Sequence, residues 1–224
     1  MPVSERQQRE RQARIQLILK AALCTFARRG YHGTSMDLIA EEAELGKATL
    51  YYYFKSKNEL LIALLKEGME SFFAQLEDSW RNVASPLEKI RLVTEIGAEF
   101  FSENPDYFRL YSYMMSHPTL RRRAMENLHA TTMKKLNHVR GLFEKAQRLG
   151  LIKPIPAEEL VTIFGSLVMG MGLFMHAHRG AIDLRRHAQI INEIFLEGIL
   201  NPQRSGAGHS GGTGQRSERA PMKV

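Results

Sequence analysis

A chain of 224 residues with 44% apolar side chains can bury a real core, as one large domain or two small ones. Its single cysteine excludes a disulfide framework and fits a reducing cytoplasm, and the polar start SERQQRERQAR carries no secretory signal. The net charge of +7 is uneven: ten Lys/Arg face six Asp/Glu over residues 1–57, seventeen face seventeen over 58–200, and four face one over 201–224. The excess lies at the two ends of the chain, and it suits a polyanionic partner.

Residues 1–14, with Arg6, Arg9, Arg11 and Arg14, form a flexible basic arm. It is either the solvated start of the first helix or an arm that reaches DNA phosphates or a minor groove. Ile15, Ile18, Ala22 and Phe26 then repeat at helical spacing, giving a first helix to about Arg29, with Cys24 a small core or boundary residue. Gly30 and Gly33 turn the corner. Thr34 and Asp37 have the spacing of a capping box and open a second helix that turns Leu38, Ile39 and Ala43 inward. Glu44-Leu45-Gly46 breaks the pattern, and a third helix begins at Lys47.

In that third helix Leu50 and Phe54, four apart, point inward, which leaves Lys47, Ala48, Thr49, Tyr51, Tyr52 and Tyr53 largely outside. Soluble chains rarely place so many aromatic and hydroxyl groups on a bare helix face unless it touches something. Residues 15–57 thus read as a helix-turn-helix domain whose last helix reads double-stranded DNA. The hydroxyls of Thr34 and Ser35 suit a phosphate, and Lys47 suits a phosphate or a guanine edge. Thr49, Tyr51 and Tyr52 suit base edges, thymine methyls or phosphates, while Tyr53 and Lys57 clamp the DNA backbone. At least one of the three tyrosines packs back on the first helix.

The stretch from Leu17 to Leu65 contains, in order, FARRGYHGTS, IAEEA, TLYYYF and KSKNEL, and it resembles the DNA-binding domain of the tetracycline-repressor family. The resemblance implies an N-terminal three-helix domain on DNA and a larger helical domain that dimerises and binds a small effector. It also implies DNA contacts at the positions just named. Two positions depart from the family pattern. Glu44 stands where many members have glycine, and Gly46 stands where serine, threonine or alanine is usual. The expectation is that Gly46 takes over as the flexible residue of the turn.

Residues 58–200 are helical throughout and form an effector-binding and dimerisation domain; about nine helices are expected in the whole all-α chain. Ser56-Lys57-Asn58-Glu59 starts a long helix to residue 80, with an apolar stripe of Leu61, Leu65, Met69, Phe72, Leu76 and Trp80. At a rise of ~1.5 Å per residue it spans roughly 35 Å, enough to link two domains mechanically. Ser85-Pro86, Asn104-Pro105, Pro118-Thr119, Pro156 and Asp183 mark further starts, and Gly150 and Gly180 mark stops. The apolar run Leu160–Met175 falls short of the ~20 residues of a membrane span, so no membrane partner is expected. With Ile190, Ile191, Ile194, Phe195 and Ile199 it supplies a dimer surface, and the resemblance implies a four-helix bundle between two copies.

Phe101, Phe108, Tyr111, Met115, Phe143, Met171, Phe174 and Met175 are the expected lining of an apolar or amphipathic effector site. The same side chains read equally as plain core. Arg109, His117, His176 and His178 are the available polar anchors for a head group. No nucleophile–base pair, metal-ligand spacing or phosphate loop is present, so neither an enzyme nor a cofactor or metal is expected. Residues 201–224, with five glycines, are a disordered basic tail. The sum is a cytoplasmic, nucleoid-associated homodimeric transcriptional regulator, most simply a repressor released by its effector. The alternative is a nucleoid-organising or division-linked DNA binder of the same fold with no effector.

Overall fold

A computed structural model describes residues 3–177 and 183–200; Gly180, His178 and the tail 201–224, singled out above, lie outside the described residues. Among the described residues there are nine helices: α1 Val3–Arg29, α2 Met36–Glu42, α3 Lys47–Tyr53, α4 Lys57–Trp80, α5 Pro86–Glu103, α6 Pro105–Met115, α7 Pro118–Arg148, α8 Ala157–Ala177 and α9 Leu184–Ile199. One isolated bridge, Ile152 to Leu200, is the sole extended pairing among them.

The starts fall where the capping residues stand. The hydroxyls of Ser56 and Ser85 accept from the N–H of Glu59 and Glu88, and one Asp183 oxygen accepts from Arg185 and Arg186. At the start of α2 the cap is Ser35, which accepts from the Leu38 N–H, and not Thr34 as expected. Thr34 is buried instead, and its hydroxyl donates to the carbonyls of Gly30 and Thr25. The expected loose arm is also helical, since α1 begins at Val3 and carries its basic residues as a solvated surface.

Two apolar clusters hold the chain together. The first packs α1 (Ile18, Leu19, Ala22, Phe26), α2 (Met36, Ile39, Ala40) and α3 (Leu50) against the first half of α4. It continues into Leu110 and Met114 of α6 and Leu120, Ala124 and Leu128 of α7. The head therefore shares its core with the body across the boundary expected at residue 57. The second cluster joins the far half of α4 to α5, α7, α8 and α9 around Phe143, Phe164 and Phe195. A buried polar lock sets the register of α9 on α5. Thr94 donates to Asn192 Oδ1 at 2.7 Å, and Asn192 Nδ2 donates to the Arg91 carbonyl at 3.1 Å.

Helix α8 is long and apolar enough over Ala157–Phe174 to cross a membrane by length and composition, longer than the run read from sequence. Here Leu160, Phe164, Val168 and Met171 are buried against other helices, while Ile163, Leu167 and Phe174 face out. On α9 the outward residues are Ile190 and Ile194, the latter 70% exposed. Phe195 and Ile199, expected at the dimer surface, belong to the core. A helix stripe about 100° wide turned to the core leaves the residues of the opposite side exposed.

Candidate nucleic-acid interface

The α2–α3 turn fixes how the third helix is presented. Glu44, not Gly46, takes the left-handed conformation, with φ 53°, while Gly46 at φ −64° is the N-cap of α3. The reason is the way α2 ends. The Glu44 N–H donates to the Glu41 carbonyl at 3.0 Å and the Leu45 N–H to the Ala40 carbonyl at 2.9 Å, which is a Schellman motif. That motif requires positive φ at the residue after the C-cap, Ala43, whatever side chain stands there.

From this turn α3 buries Leu50 and Phe54 and presents its opposite face. Lys47, Ala48, Thr49 and Tyr51 are exposed, and Tyr52 is 70% exposed. Tyr53 is half-buried against the head core and meets Tyr52 edge-on at 5.2 Å, so it is the tyrosine that packs inward. Lys47 Nζ lies 2.5 Å from Asp37 Oδ2, which ties the first residue of α3 to α2. Lys55 Nζ donates to the Tyr51 carbonyl at 2.8 Å. Ser35 is exposed beside this face.

Lys57 and Thr34, expected to meet phosphates, are turned inward. Lys57 Nζ donates to the carbonyls of Tyr31 and Thr34, each at 2.6 Å, and sits 4.3 Å above the Tyr31 ring. Burial pushes its ammonium below the ordinary lysine range. The Tyr31 hydroxyl donates to Asn58 Oδ1. Sequence reading gave Tyr31 no site role and Asn58 only a place in the start of the long helix. Cys24, expected in the core or at its boundary, is exposed, and Arg28 Nη2 donates to its sulfur at 3.1 Å while also pairing with Glu42. Between α1 and α2 an open depression of about 380 Å³ is lined by Thr25, Arg28, Arg29, Leu38, Glu41, Glu42 and Glu44.

Of the expected effector residues, Phe101, Phe108, Phe143 and Met171 lie in the second apolar cluster with Tyr111 packed against it. Phe101, Phe108 and Tyr111 follow one another with ring centroids 5.3 and 5.8 Å apart, and α8 packs on them closely. A Cβ at Gly172 would lie 2.4 Å from the Phe108 ring, so only glycine lets α8 approach there. Met171 is buried on the same helix, and its Cε lies 3.7 Å from where a Cβ at Gly97 would stand. In the same cluster Phe143 meets the rings of Phe164 and Phe195, whereas Met115 packs with the head cluster. Phe174 is 53% exposed, and the side chains of Met175 and His176 lie outside the described residues. Two of the polar anchors are spent elsewhere. Arg109 Nη2 donates to the Ala27 carbonyl and to Asp106, and His117 Nδ1 lies 2.7 Å from the Tyr113 carbonyl. Among the described residues no group of three or more His, Cys, Asp or Glu side chains could hold a metal ion.

Comparison with known proteins agrees with this architecture. A sequence model described as "Bacterial regulatory proteins, tetR family" matches residues 18–64. The HTH-type transcriptional regulator RutR of Escherichia coli (strain K12) is 31% identical over 197 residues, covering 84% of this chain and 91% of RutR. The structure of the transcriptional regulator FadR from Bacillus subtilis in complex with stearoyl-CoA superposes with a TM-score of 0.72 at 23% identity, over 82% of this chain and 98% of that one. AibR in complex with isovaleryl coenzyme A and operator DNA gives a TM-score of 0.62 at 25% identity, over 81% and 97%.

Proposed function

The chain belongs to the tetR family of bacterial transcriptional regulators, and from that premise we propose that it is a homodimeric, sequence-specific DNA binder released from its operator by a small effector. The observation that carries the proposal is α3: a short helix, rigidly set by the turn before it, with Lys47, Thr49, Tyr51 and Tyr52 on its open face. Those side chains match what a major groove offers. Tyrosine and threonine bond phosphates or base edges and touch thymine methyls, and Lys47 exchanges Asp37 for a phosphate or a guanine edge. Ala48 lets the backbone come close, Ser35 keeps a hydroxyl for a phosphate, and Tyr53 supports its neighbour Tyr52. The protein works in the cytoplasm on nucleoid DNA, most simply as a repressor.

The outward apolar residues of α8 and α9, Ile163, Leu167, Ile190 and Ile194, support pairing with a second copy. A two-fold dimer calls for a pseudo-palindromic operator, with half-sites about 34 Å apart or a multiple of it.

The effector is apolar or amphipathic, held among Phe101, Phe108, Tyr111 and Met171. RutR is a transcriptional regulator as well, and the isovaleryl coenzyme A in complex with AibR is an amphipathic acyl thioester of the kind this apolar cluster suits. Release follows from population shift: the ligand lowers operator affinity by its preference for the unbound head spacing and by no more than that. The dense packing of Phe101, Phe108, Phe143 and Met171 also supports a second reading, a DNA-organising protein of the same fold without an effector. Selection of bound fragments from a random DNA library near physiological salt separates the two. One enriched pseudo-palindrome favours the regulator, and salt-sensitive binding with no enriched motif favours the organiser.

A further inference from the structure

We infer that the outward face of α9 carries a charge code, Arg186 at one end and Glu197 at the other, which selects a second copy of this chain in antiparallel pairing. The inference rests on the reading of α8 and α9 as the dimer surface. From N- to C-terminus, Arg186, Ile190, Ile194 and Glu197 are separated by steps of four, four and three, which keep them on one side of the helix. All four are exposed, and the buried side is formed by Leu184, Ala188, Asn192, Phe195, Leu196 and Ile199. The outer face therefore runs positive, apolar, apolar, negative. This order opposes the helix dipole, which favours acids in the first turn and bases in the last, where α9 has neither. The isolated helix gains nothing from it. Arg185 pairs with Glu99 at 3.5 Å, but among the described residues Arg186 and Glu197 pair with no charged side chain.

The face is complementary to itself in one direction only. The two charges and the two isoleucines share a midpoint close to Asn192. A two-fold axis through that point sets Ile190 against the partner's Ile194 and Arg186 against the partner's Glu197, each twice per dimer. At ~1.5 Å rise per residue both charges lie roughly 8 Å along the helix from the axis, within reach of long side chains. A parallel pairing sets arginine on arginine and glutamate on glutamate. A chain of the same fold with other charges at these two places is disfavoured even where its apolar stripe fits. Behind the midpoint, the bonds of Asn192 to Thr94 and to the Arg91 carbonyl hold α9 on α5, so the face is presented in a fixed register.

The test is self-association of the full chain, measured by sedimentation near physiological salt. The samples are the wild type, Arg186→Glu, Glu197→Arg, the double variant, and an equal mixture of the two single variants. Each single variant turns two attractive contacts per dimer into two repulsive ones, and is expected to dimerise about tenfold or more weakly. The double variant restores both contacts with the signs exchanged. It is expected at least to match the wild type, since the exchanged order also suits the helix dipole. In the mixture an Arg186→Glu chain meets a Glu197→Arg chain through two opposite-charge contacts, so heterodimers form at close to wild-type strength. Wild-type dimerisation in both single variants overturns the inference, and so does a weakening that neither the double variant nor the mixture recovers. A wild-type chain that sediments as a monomer, or a dimer that Ile194→Arg and Leu167→Arg leave intact, instead overturns the reading of α8 and α9 as the dimer surface.

Discussion

Tyr113 of α6 stacks on Tyr31 of the α1–α2 corner, with ring centroids 4.4 Å apart and planes 27° from parallel. The stack continues to Phe26 on one side and His117 on the other, and the Tyr113 hydroxyl lies 3.2 Å from His32 Nε2. With Arg109 of α6 bonded to the Ala27 carbonyl, this junction makes the DNA-reading head and the body one packed unit. Tyr113 and Arg109 thus join α6 to α1 and to the corner whose carbonyls Lys57 bonds.

The junction has an alkaline signature. Burial, with Tyr113 adding to it, pushes the Tyr31 phenol from 10.0 up to about 12, and burial with nearby Glu67 does the same to Tyr107. A folded-state pKa raised above the unfolded value means stability that is complete below pH 10.0 and lost as pH rises through about 12. The melting temperature is therefore expected to fall steeply across that window. Tyr107→Phe, which removes one of the two groups, should flatten the decline; an unchanged profile would show that burial at Tyr107 is not its source.

Glu44 offers a stability gain. A non-glycine residue in the left-handed region costs ~1–2 kcal/mol, part of which glycine gives back in chain entropy. Glu44→Gly is expected to raise unfolding free energy by about 0.5–1 kcal/mol in urea titration. Gly150, at φ 66° in the matching turn after α7, should show the opposite sign, with Gly150→Ala lowering stability by about 1 kcal/mol.

These two turns also mark how far the sequence could be read. Gly150 was legible as a stop because glycine announces positive φ, whereas Glu44 hides it, and the eye moves to Gly46 two residues on. Periodicity identified the buried Leu50 and the open Tyr52, because both follow from spacing along one helix. It could not show the bonds that Lys57 and Arg109 make within the protein, because the Tyr31 and Ala27 carbonyls lie 26 and 82 residues away. Met115 shares the composition of Phe101 and Phe108, but only the packing of the helices shows that it joins the head cluster while Phe101, Phe108, Phe143 and Met171 share the second.

On the outer face of α8 and α9, arginine at one central position should split the proposed dimer. Ile194→Arg places a charge on the exposed apolar face proposed for pairing, and Leu167→Arg does so on the neighbouring helix. Both variants are expected to sediment as folded monomers with a helical spectrum like the wild type. A dimer in both would move the interface to another face of the body.

The measurement that bears most directly on the account is the affinity of Lys47→Ala and Tyr52→Ala for the selected operator, beside the wild-type chain in the same salt. The account predicts operator binding weaker by roughly 1–3 kcal/mol in each variant, with helical content and self-association unchanged. Wild-type affinity in both would contradict it, since the face of α3 would then have no part in reading DNA.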